Sequence, residues 1–207
     1  MTSTLLAVGS LDALREVLRR GDVLDVSARG DVVAVTTAAA FVGVTEAAVA
    51  VAQACGDFDL SVEALVISDR ASTSEAYFAR RINEAQLVVL CDGSPLHARA
   101  VWRDTPVGEA IHQARQVVAV GSVATVLCEV MVDPRGGAPT TGLGYVAGVA
   151  LALAMSEGQM LRTRSLVAPE VAVVAMGPSG VVRHDGSKWS VVEGDVVVTR
   201  GQDQAQL

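Results

Sequence analysis

Short apolar segments alternate with helix-compatible segments along the first two thirds of the chain, and this pattern constrains the fold most. The apolar segments are residues 5–8, 32–36, 64–67, 87–90 and 117–120. The segments that favour helices are residues 11–20, 46–54, 74–82, 95–102, 107–114 and 123–131. Strands that are apolar on both faces and alternate with helices are typical of a parallel sheet covered on both sides. The sequence therefore predicts a flavodoxin-like, doubly wound α/β fold with a mostly parallel sheet.

The pattern changes after Gly142. Four short segments with strand character are joined by Gly-Pro, Asp-Gly and Glu-Gly turns: residues 171–176, 180–184, 189–192 and 195–199. Such turns join antiparallel neighbours, so we expect C-terminal antiparallel strands that extend the sheet as a meander. We expect residues 1–200 to form a single α/β domain and the polar residues 201–207 to be a disordered tail.

Composition narrows the class of protein. The 207 residues are 51% hydrophobic and carry a net charge of −7, which allows a full core and argues against binding to nucleic acid or an anionic membrane. The cysteines Cys55, Cys91 and Cys128 are widely spaced, which fits a reducing compartment and neither a disulfide framework nor a zinc site. The beginning of the sequence has no basic leader, and no segment has the apolar character of a membrane span. We expect a cytoplasmic protein without metal or cofactor.

Two predicted strand ends are small and polar. In open α/β sheets, ligands bind at the carboxyl ends of strands, where the strand order reverses. The fourth strand runs into Cys91-Asp92-Gly93-Ser94-Pro95 and the fifth into Gly121-Ser122. The first turn also fits an ordinary strand-to-helix connection, with Ser94 as N-cap and Pro95 in the first helical position. We favour that ordinary interpretation for the first turn only.

The fifth strand and its turn have the layout of a nucleophile elbow. An apolar strand is followed by the turn Gly121-Ser122-Val123-Ala124-Thr125, which we call the elbow turn, and by a helix-compatible run. Serine hydrolases carry G-x-S-x-G in this setting, with the serine on a strained turn above the sheet. Here Val123 takes the serine's place, and valine has neither a proton to lose nor a lone pair to attack with. Because valine disfavours positive φ, we also expect a relaxed turn.

The order of these landmarks resembles the cyanophycinase and dipeptidase E group of serine peptidases, within the class I glutamine amidotransferase-like superfamily. That family's segment A-D-x-I-x-F-x-G-G-(D/N)-Q is similar to residues 84–94, and its elbow G-T-S-A-G-A to residues 121–126. Its G-L-G-L-x-P-G segment resembles residues 142–148, and its D-E-x-T-A-L strand residues 169–174. The resemblance covers roughly residues 30–199 and implies the same fold, followed by similar closing hairpins.

Carried over residue by residue, the resemblance implies that the serine mechanism is lost. The family's nucleophilic serine falls on Val123, and its general-base histidine falls near Leu153-Ala154. The histidines of the chain are His97, His112 and His184. None lies between residues 113 and 183. The family's Gly-Gly pair becomes Asp92-Gly93, and its acidic position is matched by Glu170. A Ser–His mechanism needs the base within hydrogen-bond reach of the hydroxyl, and both partners are missing.

Two hypotheses follow. The first is a catalytically silent, peptidase-like protein that acts as a binding, structural or assembly component. The second is a hydrolase or acyl-transfer enzyme, peptidase or amidotransferase-like, that uses Ser122, or Cys91 with His97 as its base. A buried, inert thiol is the simpler interpretation of Cys91, as it is of Cys128. We favour the first hypothesis because serine and histidine are lost together.

The silent protein would bind a small molecule or a peptide. The residues proposed for ligand binding are Asp92, Gly93, Ser94, Ser122 and Glu170. We also expect a homo-oligomer, most simply a two-fold dimer. Charged residues make up only 19% of the chain, so part of its apolar surface should be covered. The edge strands of the C-terminal segments, or an exposed helix around Trp102, are the expected interfaces.

Overall fold

A computed structural model describes residues 4–27, 29–153, 155–201 and 203–207. Its strands are β1 Thr4–Val8, β2 Asp31–Val35, β3 Ser61–Leu65, β4 Leu87–Leu90, β5 Gln116–Val120, β6 Val130–Val132, β7 Pro139–Thr141, β8 Val149–Leu153, β9 Ala172–Met176, β10 Val181–His184, β11 Trp189–Glu193, β12 Val196–Arg200 and β13 Asp203–Gln204. Its α-helices are α1 Leu11–Arg20, α2 Val44–Gly56, α3 Ala76–Glu84, α4 Pro95–Trp102, α5 Pro106–Gln113 and α6 Glu157–Leu166. Shorter 3₁₀ helices occupy Thr37–Phe41, Ser72–Ser74 and Gly121–Leu127.

The central sheet has the strand order β11-β10-β1-β5-β4-β2-β3. Strands β1 to β5 are parallel, whereas β10 and β11 are antiparallel at one edge. Alternate residues of β4 enter two cores: Leu87 and Val89 pack with α1 and α2, and Val88 and Leu90 pack with α3, α4 and α5. Both faces of the sheet are therefore covered by helices, and the predicted doubly wound fold is confirmed.

Several predicted elements match because their signals are local. Ser10 caps α1 by accepting a hydrogen bond from the Ala13 amide, and Gly21 ends the helix at φ 68°. Ser94 caps α4 in the same way, with Pro95 in the first turn, which is the ordinary interpretation of that turn. The third strand begins earlier than predicted, at Ser61, because this edge strand is only half-buried and lacks a continuous apolar run.

The predicted C-terminal antiparallel strands are confirmed, but they do not form one meander, because they divide between two sheets. Strands β10 and β11 extend the central sheet, while β9 and β12 belong to a second sheet with the order β13-β12-β9-β8. Strands β8 and β9 are parallel, since α6 crosses between them as in a βαβ unit. All five residues of β8 are buried, so it has none of the polar alternation that identifies a strand beside solvent.

The predicted helix over residues 123–131 is also wrong. A 3₁₀ helix ends at Leu127 and strand β6 begins at Val130. The carbonyls of Val126 and Leu127 accept hydrogen bonds from the amides of Leu143 and Tyr145, at 2.7 and 2.9 Å. In an α-helix those carbonyls would bond to amides four residues onward. Hydrogen bonds from a distant segment therefore take the place of the bonds that would continue an α-helix.

The end of the chain differs from the expected disordered tail. Strand β13 pairs antiparallel with Thr199 and Arg200 of β12, and Ala205 and Leu207 pack against the larger core. These apolar side chains explain why a largely polar segment packs against the rest of the chain. In the part of the chain that is described, no helix has the length and apolar character needed to cross a membrane.

Candidate functional site

The strand order reverses between β2 and β4, and the two turns that leave these strands touch. The connection after β2 leads to α2 on one face, and that after β4 leads to α4 on the other. The Ser94 amide donates to the Ala38 carbonyl at 2.7 Å. Gly93 has a φ of 147°, and a Cβ there would overlap the Ala38 carbonyl. Backbone contact therefore closes the crevice where α/β sheets usually bind ligands.

Asp92 and Ser122 join the turns after β4 and β5. Oδ1 of Asp92 accepts hydrogen bonds from the Gly93 amide at 2.7 Å, the Ser122 amide at 2.9 Å and the Ser122 hydroxyl at 2.8 Å. The Ser122 Oγ also lies 2.7 Å from the Gly93 carbonyl oxygen. Four of the predicted binding residues, Asp92, Gly93, Ser94 and Ser122, are thus neighbours. Most of their polar groups satisfy one another.

Val123 lies at the elbow position but faces inward. It is the third residue after β5 and belongs to the 3₁₀ helix Gly121–Leu127. Its side chain is 0% exposed and is part of the larger core. The left-handed conformation falls on Gly121, at φ 64°, and the non-glycine residues with positive φ lie elsewhere. The turn at Val123 is therefore relaxed, as expected for a β-branched residue.

Cys91 and His97 do not form the pair that an activated thiolate needs. Cys91 is 2% exposed and belongs to the core beneath α1 and α2, whereas His97 lies on α4, over the other face. The His97 Nε2 is 2.9 Å from the Ser68 carbonyl oxygen, and its ring packs edge-on against Phe41. Burial, with the nearby Asp92 carboxylate, raises the pKa of the Cys91 thiol to about 12. This arrangement provides neither the neighbouring base nor the exposed thiol that an activated cysteine needs.

We predict that the native thiols resist modification. Burial raises the pKa of Cys55 to about 11 and that of Cys128 to about 12, so the thiolate fraction near pH 8 is about one in a thousand or less. A colorimetric disulfide reagent at pH 8 should release no thiol from the folded chain within minutes and should release three equivalents in denaturant. Fast labelling of one native cysteine, mapped by mass spectrometry to Cys91, would contradict the inert assignment.

The other two histidines and the predicted binding residue Glu170 lie apart from the elbow turn. His112 stacks on Tyr145, and His184 lies beside Trp189, where burial lowers the pKa of His184. Glu170 is exposed, and its carbonyl accepts from Arg200 at 2.6 Å, so it does not join the other predicted binding residues. Leu153 ends β8, and position 154, where the family's histidine would fall, lies outside the described residues.

A cleft of about 720 Å³ lies beside α4 and α5. The α4–α5 connection and the exposed side of α5 form one wall, and the residues at the Gly-Leu-Gly motif form the other. The lining includes Arg103, Asp104, Glu109, His112, Leu143 and Tyr145. None of the elbow-turn residues lines it. Sequence reasoning missed this cleft, although the Gly142-Leu143-Gly144 motif that builds one wall was its nearest match to the family pattern.

The described residues contain no group of three or more His, Cys, Asp or Glu side chains that could hold a metal ion.

The sequence matches no protein-family model and no curated protein. Among solved structures, the chain is similar to a peptidase from an acI-B1 actinobacterium, with a TM-score of 0.77 at 16% identity over 100% of this chain and 94% of that one. It is also similar to a "Putative Peptidase E Protein" from Listeria monocytogenes EGD-e, with a TM-score of 0.71 at 12% identity over 94% and 100%. The chain thus has the fold of these peptidases.

Proposed function

We propose that this chain is a peptidase-like protein that has lost serine-peptidase chemistry and acts as a binding or assembly component. The observation that carries the proposal is Val123, a buried apolar side chain at the position that presents the nucleophile in hydrolases of this layout. Burial at 0% exposure would also keep any hydroxyl placed there away from substrate. The fold is retained, and the reacting group is absent.

Ser122 does not supply a replacement nucleophile in this arrangement. Its hydroxyl lies within hydrogen-bond distance of the Asp92 carboxylate and the Gly93 carbonyl, so its proton is already engaged. Among the described residues, no histidine hydrogen-bonds to Ser122. A serine nucleophile needs a base that both accepts its proton and returns it to the leaving group. The hydrolase alternative therefore lacks a histidine base at this turn.

Activity-based labelling tests the proposal. A fluorophosphonate should add no mass to the wild-type chain, because no serine is activated. It should also add none to Val123→Ser, since that hydroxyl is buried and has no base. Ser122→Ala is the matched control, and a chymotrypsin-like peptidase treated in parallel verifies the probe. Stoichiometric labelling of wild type that disappears in Ser122→Ala would overturn the proposal in favour of a hydrolase.

We further propose a two-fold dimer in a reducing, cytoplasmic compartment. Free thiols at all three cysteines support the compartment. Exposed apolar side chains support association: Phe41 is 75% exposed, Val42 74%, and Val191 on edge strand β11 46%. Trp102 itself is fully buried, so its side chain would not contribute to the interface that we expected at that helix. Light scattering at micromolar concentration should give twice the 21.4 kDa chain mass, and a monomer mass would contradict the dimer.

A further inference from the structure

Several contacts join the two walls of the cleft beside α4 and α5. Arg103 Nη2 donates to the Gly142 carbonyl at 2.5 Å, and the Tyr145 hydroxyl donates to the Gly108 carbonyl at 2.6 Å. His112 stacks on the Tyr145 ring with 4.5 Å between centroids and 8° between planes. A Cβ at Gly108 would overlap the Trp102 carbonyl, so only glycine permits this approach. These contacts therefore fix the relative positions of the two walls.

Two carboxylates line the cleft and form no ion pair among the described residues, while the guanidinium of Arg103, which also lines the cleft, donates to the Gly142 carbonyl. Asp104 and Glu109 flank the start of α5. Among the described residues, no Arg, Lys or His nitrogen lies within 4.0 Å of either carboxylate. Glu109 accepts one hydrogen bond, from the neutral amide of Gln113 at 2.5 Å. Burial, and to a smaller extent these two carboxylates, raise the pKa of the Tyr145 phenol.

We propose that this cleft binds a small organic cation, an amine or guanidinium attached to an apolar body. Its volume of about 720 Å³ lies within the roughly 300–1,000 Å³ typical of small-molecule sites and far exceeds a bare ion. The cationic group would pair with Asp104 and Glu109 and lie near the Tyr145 ring, which attracts cations through its face. The apolar body would contact Leu143. None of these groups belongs to the elbow turn, so the proposed binding site does not depend on the proposal that the chain is catalytically silent.

Titration with benzylamine tests the charge requirement, and benzyl alcohol is its neutral match. Amide resonances of the ¹⁵N-labelled chain at residues 103–112 and 142–145 should shift on adding benzylamine, with a Kd of about 1 mM for so small a ligand. Benzyl alcohol should bind at least about threefold more weakly, because it forms no ion pair. Raising the salt concentration should weaken benzylamine binding, because salt screens exposed charges. Shifts confined to another surface, or equal binding of both probes, would overturn the proposal.

Charge-neutral variants locate the binding groups. Asp104→Asn preserves the backbone, because φ is 52° at this position and asparagine tolerates that conformation. We expect Asp104→Asn and Glu109→Gln each to weaken benzylamine binding about threefold, and the double variant about tenfold. Glu157→Gln removes an exposed carboxylate on α6 that does not line the cleft, and it should leave binding unchanged. Unchanged affinity in the double variant, with a wild-type melting curve, would refute the assignment.

Discussion

Gly93→Ala is expected to destabilise the chain by about 3 kcal/mol or more, since it combines backbone strain with overlap, each typically about 1–3 kcal/mol. Gly93 has a φ of 147°, and its missing side chain leaves room for the Ala38 carbonyl and the Ala39 amide. Both neighbours are backbone, so neither can rotate away. At this chain length the loss corresponds to a melting temperature about 6–12 °C lower.

Gly148→Ala is the matched control for that experiment. Gly148 also has a positive φ, 79°, but nothing lies within 4 Å of a Cβ there. It should therefore show backbone strain alone, about 1 kcal/mol. Urea denaturation of both variants separates the two effects. Equal stability of the two variants would mean that the turns after β2 and β4 are not in contact.

Trp102→Ala should lower the free energy of unfolding by at least about 4 kcal/mol. The substitution leaves a cavity in the core, and it removes the N–H group from which the Thr37 hydroxyl accepts a hydrogen bond. Trp102 is 0% exposed, and its Nε1 donates to the Thr37 hydroxyl at 3.1 Å. Tryptophan side chains on helices lean toward the helix N-terminus, which lets this one reach from the end of α4 to the turn after β2. The side chain thus joins two elements that shape both the sheet edge and the cleft.

A comparison of the two tryptophans isolates the hydrogen bond. Trp189 is 7% exposed, and its Nε1 has no hydrogen-bond partner among the described residues. Trp102→Phe should lower the free energy of unfolding by about 2–3 kcal/mol. Trp189→Phe should lower it by about 1 kcal/mol, because no acceptor loses its hydrogen-bond donor there. Denaturant midpoints measure both. A larger loss at Trp189 would show that its N–H group has a partner, and that the buried Trp102–Thr37 bond contributes little.

The sequence predicted those parts of the fold whose signals lie close together in the chain. Helix α1 begins at the Ser10 cap and ends at Gly21, and α4 begins at Ser94-Pro95. Helix α6 also has a local signal, although it was not among the predicted helices. Ser156 and Gln159 form a capping box, a pattern that can be recognised in the sequence. Strand β8 gave no such signal, because it is buried on both faces.

The candidate sites depend on contacts between distant residues, and these could not be predicted. The bond between Asp92 and Ser122 spans 30 positions, and only the sheet order makes the two turns neighbours. Likewise, residues 126–127 become a 3₁₀ turn because the distant residues 143–145 bond to their carbonyls. The cleft combines the α4–α5 connection with that same distant segment. Position 123 was different, since its valine is visible in the sequence alone.

Peptide hydrolysis tests the proposed loss of catalysis most directly. The purified wild-type chain should be incubated with aspartyl and β-aspartyl dipeptides, and with a broader dipeptide panel, and release of amino acids measured by mass spectrometry. We expect no turnover above that of a heat-denatured sample, and the same result for Val123→Ser, which has no base for its hydroxyl. Turnover by the wild-type chain that is lost in Ser122→Ala or Cys91→Ala would contradict this account and identify an active hydrolase.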